Sequence, residues 1–517
     1  MEQALSWFRE SLSYRFVHKV IEILRLSLTC RIFKGMGRII VESRMSEAIV
    51  RFFNRPFSPE YSMCFRTFNR LSDALLPFKK KSIAAIEDSV TDRVLKDSRA
   101  FGILSRYLIF SAAFFVFPDE IGRDLFGSNP LFGYWDEVYL LICIFYLFFV
   151  WFMDTRNRLL TATPLDAPIF LLVGVSFFLY STHSNYPAIG FEGMRAVVEF
   201  ILWFYVFSRF INSDGKAFTL VRGLVLTGGL LAFHGIIQAI VGVYTPASWT
   251  DAAEGVESTR VYSIVGSPNI LGSIMVLIIP IGIALVFQKN LKRSLRAGCL
   301  ALLICMCICL ILTLSRGAWV GMFVGLVIFC IACNPGLLVG LGALGGMAFL
   351  VPSVANRIRY MLSPQYIMSS MTGGRLLRYQ IGWQMFKENI WFGVGMGHFG
   401  GAVAMNHQDL FPNTFYMDNY WLKTAVEMGL VGLAAFFILI SFLIVWSIRA
   451  INNTKDHDKR LIVIGGFSGI MGVIVHNFLE NVFEVPYMVI YFWLVAAVVL
   501  YFGNLTGDDL AGGRFFV

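Results

Sequence analysis

The chain has 517 residues, 57% of them hydrophobic and only 15% charged, with a formal charge of +9. Apolar runs of roughly 17–25 residues, the length that crosses a hydrocarbon core, recur along it. They exclude an ordinary soluble globular fold and imply an all-α, polytopic bundle of transmembrane helices.

Residues 1–99 carry 18 Lys and Arg against 11 Asp and Glu, which supplies most of the net charge. Within them, "SYRFVHKVIEILRLSLTCRIFKGMGRIIVESRMSEAIVRFF" mixes basic and apolar residues at helical spacing. That pattern suits a helix lying on an anionic membrane surface, or a small cytoplasmic helical domain. The region has no glycine-rich phosphate loop and no zinc pattern, and no nucleic-acid partner is expected. No cleavable leader is apparent, so insertion is assigned to the internal helices.

Beyond it, apolar runs bounded by polar breaks predict twelve spans, near 101–117, 135–153, 166–182, 192–211, 220–243, 268–288, 297–314, 317–333, 335–353, 419–447, 461–479 and 486–503. The basic connections "DTRNR", "QKNLKRSLR" and "NNTKDHDKR" fall on the same side as residues 1–99. Lys and Arg accumulate in cytoplasmic loops, so both termini are read as cytoplasmic. The organisation is then residues 1–99, a bundle of nine spans over 100–353, a large extracytoplasmic loop at 354–418 with short helices, three further spans over 419–503, and a tail at 504–517. Arg195 and Glu199, four apart on one span, are read as an ion pair. Cys305, Cys307 and Cys309 alternate along a helix and cannot share one face as metal ligands. Neither a metal, a cofactor nor a disulfide framework is expected.

The 354–418 loop is too long for a turn, and connections of that length usually carry function. Arg357, Arg359, Arg375 and Arg378 gather there, against the charge rule that orients the chain. An anion bound outside would account for them, since guanidinium pairs phosphate bidentately; contact with lipid headgroups is the alternative. "WQMFKENIWF" suits a helix at the outer interface. Arg316, in "LTLSRGAWVGMF", stands between two spans with Ser315 and Gly317 beside it. Arg260 closes the preceding outer loop, ahead of Pro268 and Asn269 at a span mouth. His476 and Glu480 lie four apart near the outer end of the eleventh span. In "DNYWLKTAVEMGLVGLAAFFILI", Asp418 stands at a helix mouth, where it either caps the helix or does chemistry. Gly429 and Gly432 have the small-residue spacing that lets helices approach closely, and Lys423 and Glu427 are placed to pair.

The stretches "RVYSIVGSPNILGS", "TLSRGAWVG", "GGRLLRYQIGWQMFKENIWFGVGMGHFG" and "DNYWLKTAVEMGLVGL", in this order, resemble the O-antigen ligase and O-antigen polymerase family of bacterial membrane glycosyltransferases. The resemblance covers roughly residues 100–503. It implies that Arg316 and Arg375, with Arg260 beside them, hold the pyrophosphate of an undecaprenyl-pyrophosphate-linked glycan donor. In the ligases a histidine, then Asn, Ser or Gln, precedes nine residues, Gly, two residues and a further Gly, Thr or Tyr. Here Asp418 and Asn419 precede nine residues, Gly429, two residues and Gly432, so the spacing is kept and aspartate replaces histidine. Asp418 is therefore the expected base, with His407 and His398 as alternatives and His476 a remote one. Asn419, Gly429, Gly432, Ser315, His476 and Glu480 are expected in support. The implied activity transfers or polymerises lipid-linked glycan units onto a glycan, lipid or wall-polymer acceptor at the outer face of the inner membrane, in contact with membrane lipids. A flippase or other transporter of lipid-linked oligosaccharide is the rival of a different class. It would place charges along a path through the bundle rather than at one face.

Overall fold

The computed structural model describes residues 70, 73–82, 98–127, 133–153, 163–246, 259–348, 350, 352–412 and 414–505. The N-terminal stretch 13–53, read as helical, lies outside these residues, as does the tail beyond residue 505. Among the described residues the regular structure is helical throughout. The helices are α1 (Ser98–Ala113), α2 (Val116–Phe126), α3 (Trp135–Met153), α4 (Asp166–His183), α5 (Pro187–Phe210), α6 (Asp214–Val241), α7 (Pro268–Val286), α8 (Arg293–Leu312) and α9 (Arg316–Cys333). They continue as α10 (Leu337–Ala348), α11 (Pro352–Met361), α12 (Pro364–Thr372), α13 (Arg375–Glu388), α14 (Ala402–Asn406), α15 (Tyr420–Asn453), α16 (His457–His476) and α17 (Pro486–Phe502).

Each of the twelve expected spans falls on a helix, but among the described residues 8 helices are long and apolar enough to cross a membrane unaided. The bent pair of α1 and α2, which turns through 69°, raises that to 9. The shortfall has local causes. Helix α10 has 12 residues, about 18 Å at 1.5 Å per residue, well short of a hydrocarbon core near 30 Å. Helix α5 is long enough but carries Glu192, Arg195, Glu199 and Arg209 along its length. Helix α17 has 17 residues and is enclosed by its neighbours. Against the expectation of about twelve spans, the described residues supply 8 or 9 that meet the length and composition of a span.

Helices α7, α16 and α17 form the centre of the bundle, and their side chains are buried almost all round. Glycine sets the spacing. A Cβ at Gly469 of α16 would stand 2.2 Å from the Leu277 carbonyl oxygen of α7. On the other side of α16, Gly321 and Gly325 of α9 meet the Gly472 and Ser468 carbonyls at 2.6 and 2.8 Å in the same construction. Backbones this close gain dispersion contacts that larger residues would block. The crossing carries His476, at the end of α16, against Ser273 of α7 and Gly317 of α9.

Residues 354–418 fold into most of α11 and all of α12–α14, joined by a glycine-rich segment that docks on α15. Gly429 interrupts α15 with φ 61° and ψ −166°, which opens the helix hydrogen-bond ladder. The exposed backbone groups are taken up by the segment "IWFGVG". Leu430 N donates to Ile390 O at 2.7 Å and Val431 N to Trp391 O at 3.2 Å. In return Val394 N donates to Val426 O at 2.9 Å and Gly395 N to Glu427 O at 3.1 Å. Beneath this junction Phe399, Met417 and Val426 form a small core with Tyr379, Phe386 and Leu422 packed on it. Buried Lys423 joins Glu427 at 2.6 Å and Glu484 at 2.8 Å, which bears out the expected Lys423–Glu427 pair. The paired glycines therefore serve a broken helix, and the expectation of plain helix-to-helix packing is corrected. At Gly429 the left-handed backbone and the Trp391 carbonyl, 2.4 Å from where a Cβ would stand, both demand glycine.

Gly429→Ala should destabilise the protein by about 2 kcal/mol or more, from left-handed strain and the backbone clash. The check is thermal unfolding followed by detergent size-exclusion; a wild-type midpoint in the variant would contradict the docking account.

Candidate functional site

The tight turn between α8 and α9 organises the site. Leu314 takes a left-handed φ of 51°, unusual for a branched residue. The turn reverses the chain and turns two carbonyls toward arginines from elsewhere. Arg260 Nε donates to Thr313 O at 3.1 Å, and its Nη2 donates to Asn269 Oδ1 at 3.1 Å. Arg357 Nε, from α11, donates to Leu314 O at 3.0 Å. Ser315 then caps α9, accepting from Ala318 N, and Arg316 is the first helical residue. Its guanidinium lies 4.8 Å from the Tyr366 ring centroid, and its buried Nη1 makes no hydrogen bond.

Arg375 and Arg378 enter at the start of α13. Arg378 Nη1 donates to Asp418 Oδ2 at 2.7 Å, and Arg375 Nε lies 3.7 Å from the same oxygen. Arg375 Nη2 donates to Glu480 Oε2 at 2.9 Å, an oxygen that also accepts from Asn269 Nδ2. Together Arg260, Arg316, Arg357, Arg375, Arg378, Asp418 and His476 line one cavity of about 560 Å³, whose wall is completed by Tyr366 and the polar face of α12. Of the four arginines noted in the long loop, Arg359 alone does not line it.

The charges are incompletely compensated. Burial, and then the neighbouring guanidiniums of Arg357 and Arg375, lower Arg260 to about 9, against the pull of Glu480. It stays cationic at neutral pH. Burial pushes the Glu480 carboxyl up to about 7, opposed by Arg375 and reinforced by Asp418. Burial also disfavours the Arg375 cation, but Glu480 and Asp418 together outweigh it and raise its pKa.

Asp418 does not cap α15. That place belongs to Asn419, whose side chain accepts from Leu422 N at 3.0 Å. Asp418 is thereby left to the cavity. Both of its arginine contacts fall on Oδ2, and neither uses Oδ1. His476 is fully buried, its Nδ1 paired with Ser273 Oγ at 2.6 Å and its Nε2 without a hydrogen bond. The alternative bases are elsewhere. His398 packs against Tyr186 and Phe411 with Nδ1 at 2.7 Å from Met396 O, and His407 Nε2 faces Glu192 at 3.3 Å. Neither lines the arginine cavity, because the segment that carries both is folded toward α5 by its docking at Gly429. That removes them as bases for chemistry there. Arg357, Arg378 and Tyr366 join the site without an individual signal in the sequence. Spacing held one clue: Tyr366, Ser369 and Ser370 lie three and four apart, the polar face of α12.

Residues 301–437 match the family model described as O-antigen ligase. Over that segment the chain is similar to the O-antigen ligase family. The matched segment contains Arg316, Arg357, Arg375, Arg378 and Asp418, whereas Arg260 and His476 line the cavity from outside it and Glu480, also outside it, holds Arg375. No curated protein matches the chain. With its many apolar helices, the chain is that of an integral membrane protein.

Glu480 gives the site a pH signature. Its carboxyl ionises near 7 in the fold against an ordinary 4.5. Between those values the folded state holds the extra proton, so this group's stabilising contribution is complete below the lower value and is lost as pH rises through the upper. Glu480→Gln should flatten the pH dependence of unfolding across that window. Parallel thermal melts of both proteins from acidic to neutral pH check it; identical slopes would refute the assignment.

Proposed function

We propose that the protein is a glycosyltransferase that transfers or polymerises undecaprenyl-pyrophosphate-linked glycan units at the outer face of the cytoplasmic membrane, in surface polysaccharide biosynthesis. The observation that carries this reading is the cavity: five arginines and one carboxylate converge at one end of an apolar bundle. Guanidinium is the cation best matched to pyrophosphate, by its planar fork and its permanent charge. Arg316 has a buried N–H still to satisfy, and Arg260, Arg357 and Arg375 surround the same space. The packed centre of α7, α16 and α17 favours chemistry at the mouth over a transport path.

In the reaction, the acceptor hydroxyl oxygen bonds the anomeric carbon as the bond from that carbon to the pyrophosphate oxygen breaks. The hydroxyl proton passes to Asp418, whose Oδ1 is the oxygen not engaged by the arginines. The leaving polyprenyl pyrophosphate keeps the bond's electron pair, and the arginines stabilise the charge it gains. Pyrophosphate leaves without a proton, so the base acts on the acceptor alone. The acceptor is a second lipid-linked repeat in a polymerase and a lipid core, wall polymer or protein in a ligase; the aspartate at the histidine position leans toward polymerase. Positive-inside orientation puts both termini in the cytoplasm and residues 354–417 outside.

Arg316→Lys and Arg375→Lys should each lower transfer from a purified lipid-linked donor by about 10–100-fold, since lysine keeps charge and loses the bidentate geometry. Wild-type activity in both would overturn the donor clamp. Asp418→Asn should cost about 10²–10⁴-fold in turnover if this carboxylate is the base, while α15 keeps its cap at Asn419. Asp418→His should retain partial activity; an active Asp418→Asn would remove the residue from the mechanism. A cysteine placed at Ser369 should react with an impermeant thiol reagent in intact cells, and labelling only after permeabilisation would reverse the orientation.

A further inference from the structure

A second charged cluster lies apart from the arginine cavity, and the proposed transfer makes no use of it. Asp136 and Glu137 occupy the first turn of α3, and Glu199 lies on α5. One oxygen from each of the three carboxylates lies within 4.8 Å of those from the other two. Arg195 bridges two of them: its Nε donates to Glu199 Oε2 at 2.6 Å, and its Nη2 donates to Glu137 Oε1. The Arg195–Glu199 pair expected from spacing is therefore present, but it is not self-contained. Three carboxylates face one guanidinium, and Arg123, the other cation that acts on Asp136, is held by Asp119 at 2.9 Å.

The surplus has a definite location. Asp136 is only 4% exposed, and its Oδ1 is buried without a hydrogen bond. Glu137 Oε2 is likewise buried and unpaired. A carboxylate oxygen shut away from water with no donor carries a large desolvation cost unless a positive partner meets it.

We propose that Asp136, Glu137 and Glu199 form a binding site for one hard divalent cation of the Ca²⁺, Mn²⁺ or Mg²⁺ class. The donors are all oxygen, the set such ions prefer. Two oxygens each about 2.4 Å from one Ca²⁺ stand at most about 4.8 Å apart, and the three carboxylate oxygens fall within that limit. Arg195 engages Glu137 Oε1 and Glu199 Oε2 and so holds both carboxylates in place, as second ligand shells do. The Glu137 and Arg195 side chains are 25% and 38% exposed, which leaves a way in for the ion and its waters. The bound ion ties the start of α3 to α5. Two residues before Arg195, a Cβ at Gly193 would stand 2.3 Å from Gly397 N, so the same stretch of α5 is the floor on which the glycine-rich segment rests.

The test is direct binding, read independently of glycan transfer. Full-length protein purified in detergent and stripped with chelator is titrated with Mn²⁺ alone, and free Mn²⁺ is followed by its paramagnetic resonance signal. One Mn²⁺ should bind per chain, be displaced by excess Ca²⁺ or Mg²⁺, and raise the unfolding temperature. Asp136→Asn should weaken binding by about tenfold or more, whereas Glu192→Gln, an acid on the same helix outside the cluster, should not change it. Wild-type affinity in Asp136→Asn would overturn the site. If that variant does not fold, the wild-type titration decides: no bound Mn²⁺, or binding that Ca²⁺ and Mg²⁺ fail to displace, overturns it equally.

Discussion

Five guanidiniums share one cavity, and most of what surrounds them exists to hold like charges together. Carbonyl oxygens at Thr313 and Leu314 satisfy N–H groups of Arg260 and Arg357 but carry no net charge. The Tyr366 ring offers Arg316 its negative face. Only Asp418 and Glu480 contribute formal negative charge, and burial works against ionisation at Glu480. Burial, with the repulsion of Arg357 and Arg375 added to it, lowers the pKa of Arg260. In a partly buried site such charges interact more strongly than at an open surface, so an anionic ligand gains affinity from the same repulsion.

Three unrelated pieces of backbone geometry deliver the cations. The left-handed Leu314 reverses the chain between two helices and turns adjacent carbonyls toward different arginines. The glycine contacts of α16 with α7 and α9 bring Asn269, Ser273 and His476 close behind the turn. The break at Gly429 lets the long loop bond to a transmembrane helix through its backbone, and Met417 N completes the attachment by donating to Gly400 O at 2.8 Å. Asp418 follows directly. Its position is thus set by a loop docked on a broken helix, and Tyr379 reinforces it by donating to the Asp418 carbonyl at 2.9 Å.

Much of the site was legible in the residues because the physics was local. An arginine between two apolar spans has few places to go, and a cluster of arginines on the face that usually lacks them asks for an anion. The Lys423–Glu427 and Arg195–Glu199 pairs follow from helical spacing. What misled was also local. Asp418 looks like a cap until Asn419 is seen to make the cap bond. Gly429 and Gly432 look like a packing motif until the dihedral angles show a break. His398 and His407 look available in an outer loop, yet the fold of that loop turns both toward other partners.

Hydropathy alone determined that this is a helical membrane protein, because the cost of exposing apolar side chains to water, or backbone polar groups to lipid, depends on composition and run length. It could not settle how many helices cross unaided, since that depends on where a run such as Leu337–Ala348 ends. The residues also named the cations, but not their company. Arg260 and Asp418 are more than a hundred and fifty positions apart in the chain, and no periodicity relates them. Only tertiary packing decided that they share a cavity, that Asp136 joins Glu199, and that the histidines of the long loop do not face the arginines. Those are long-range contacts, fixed by which surfaces can approach closely enough to pack.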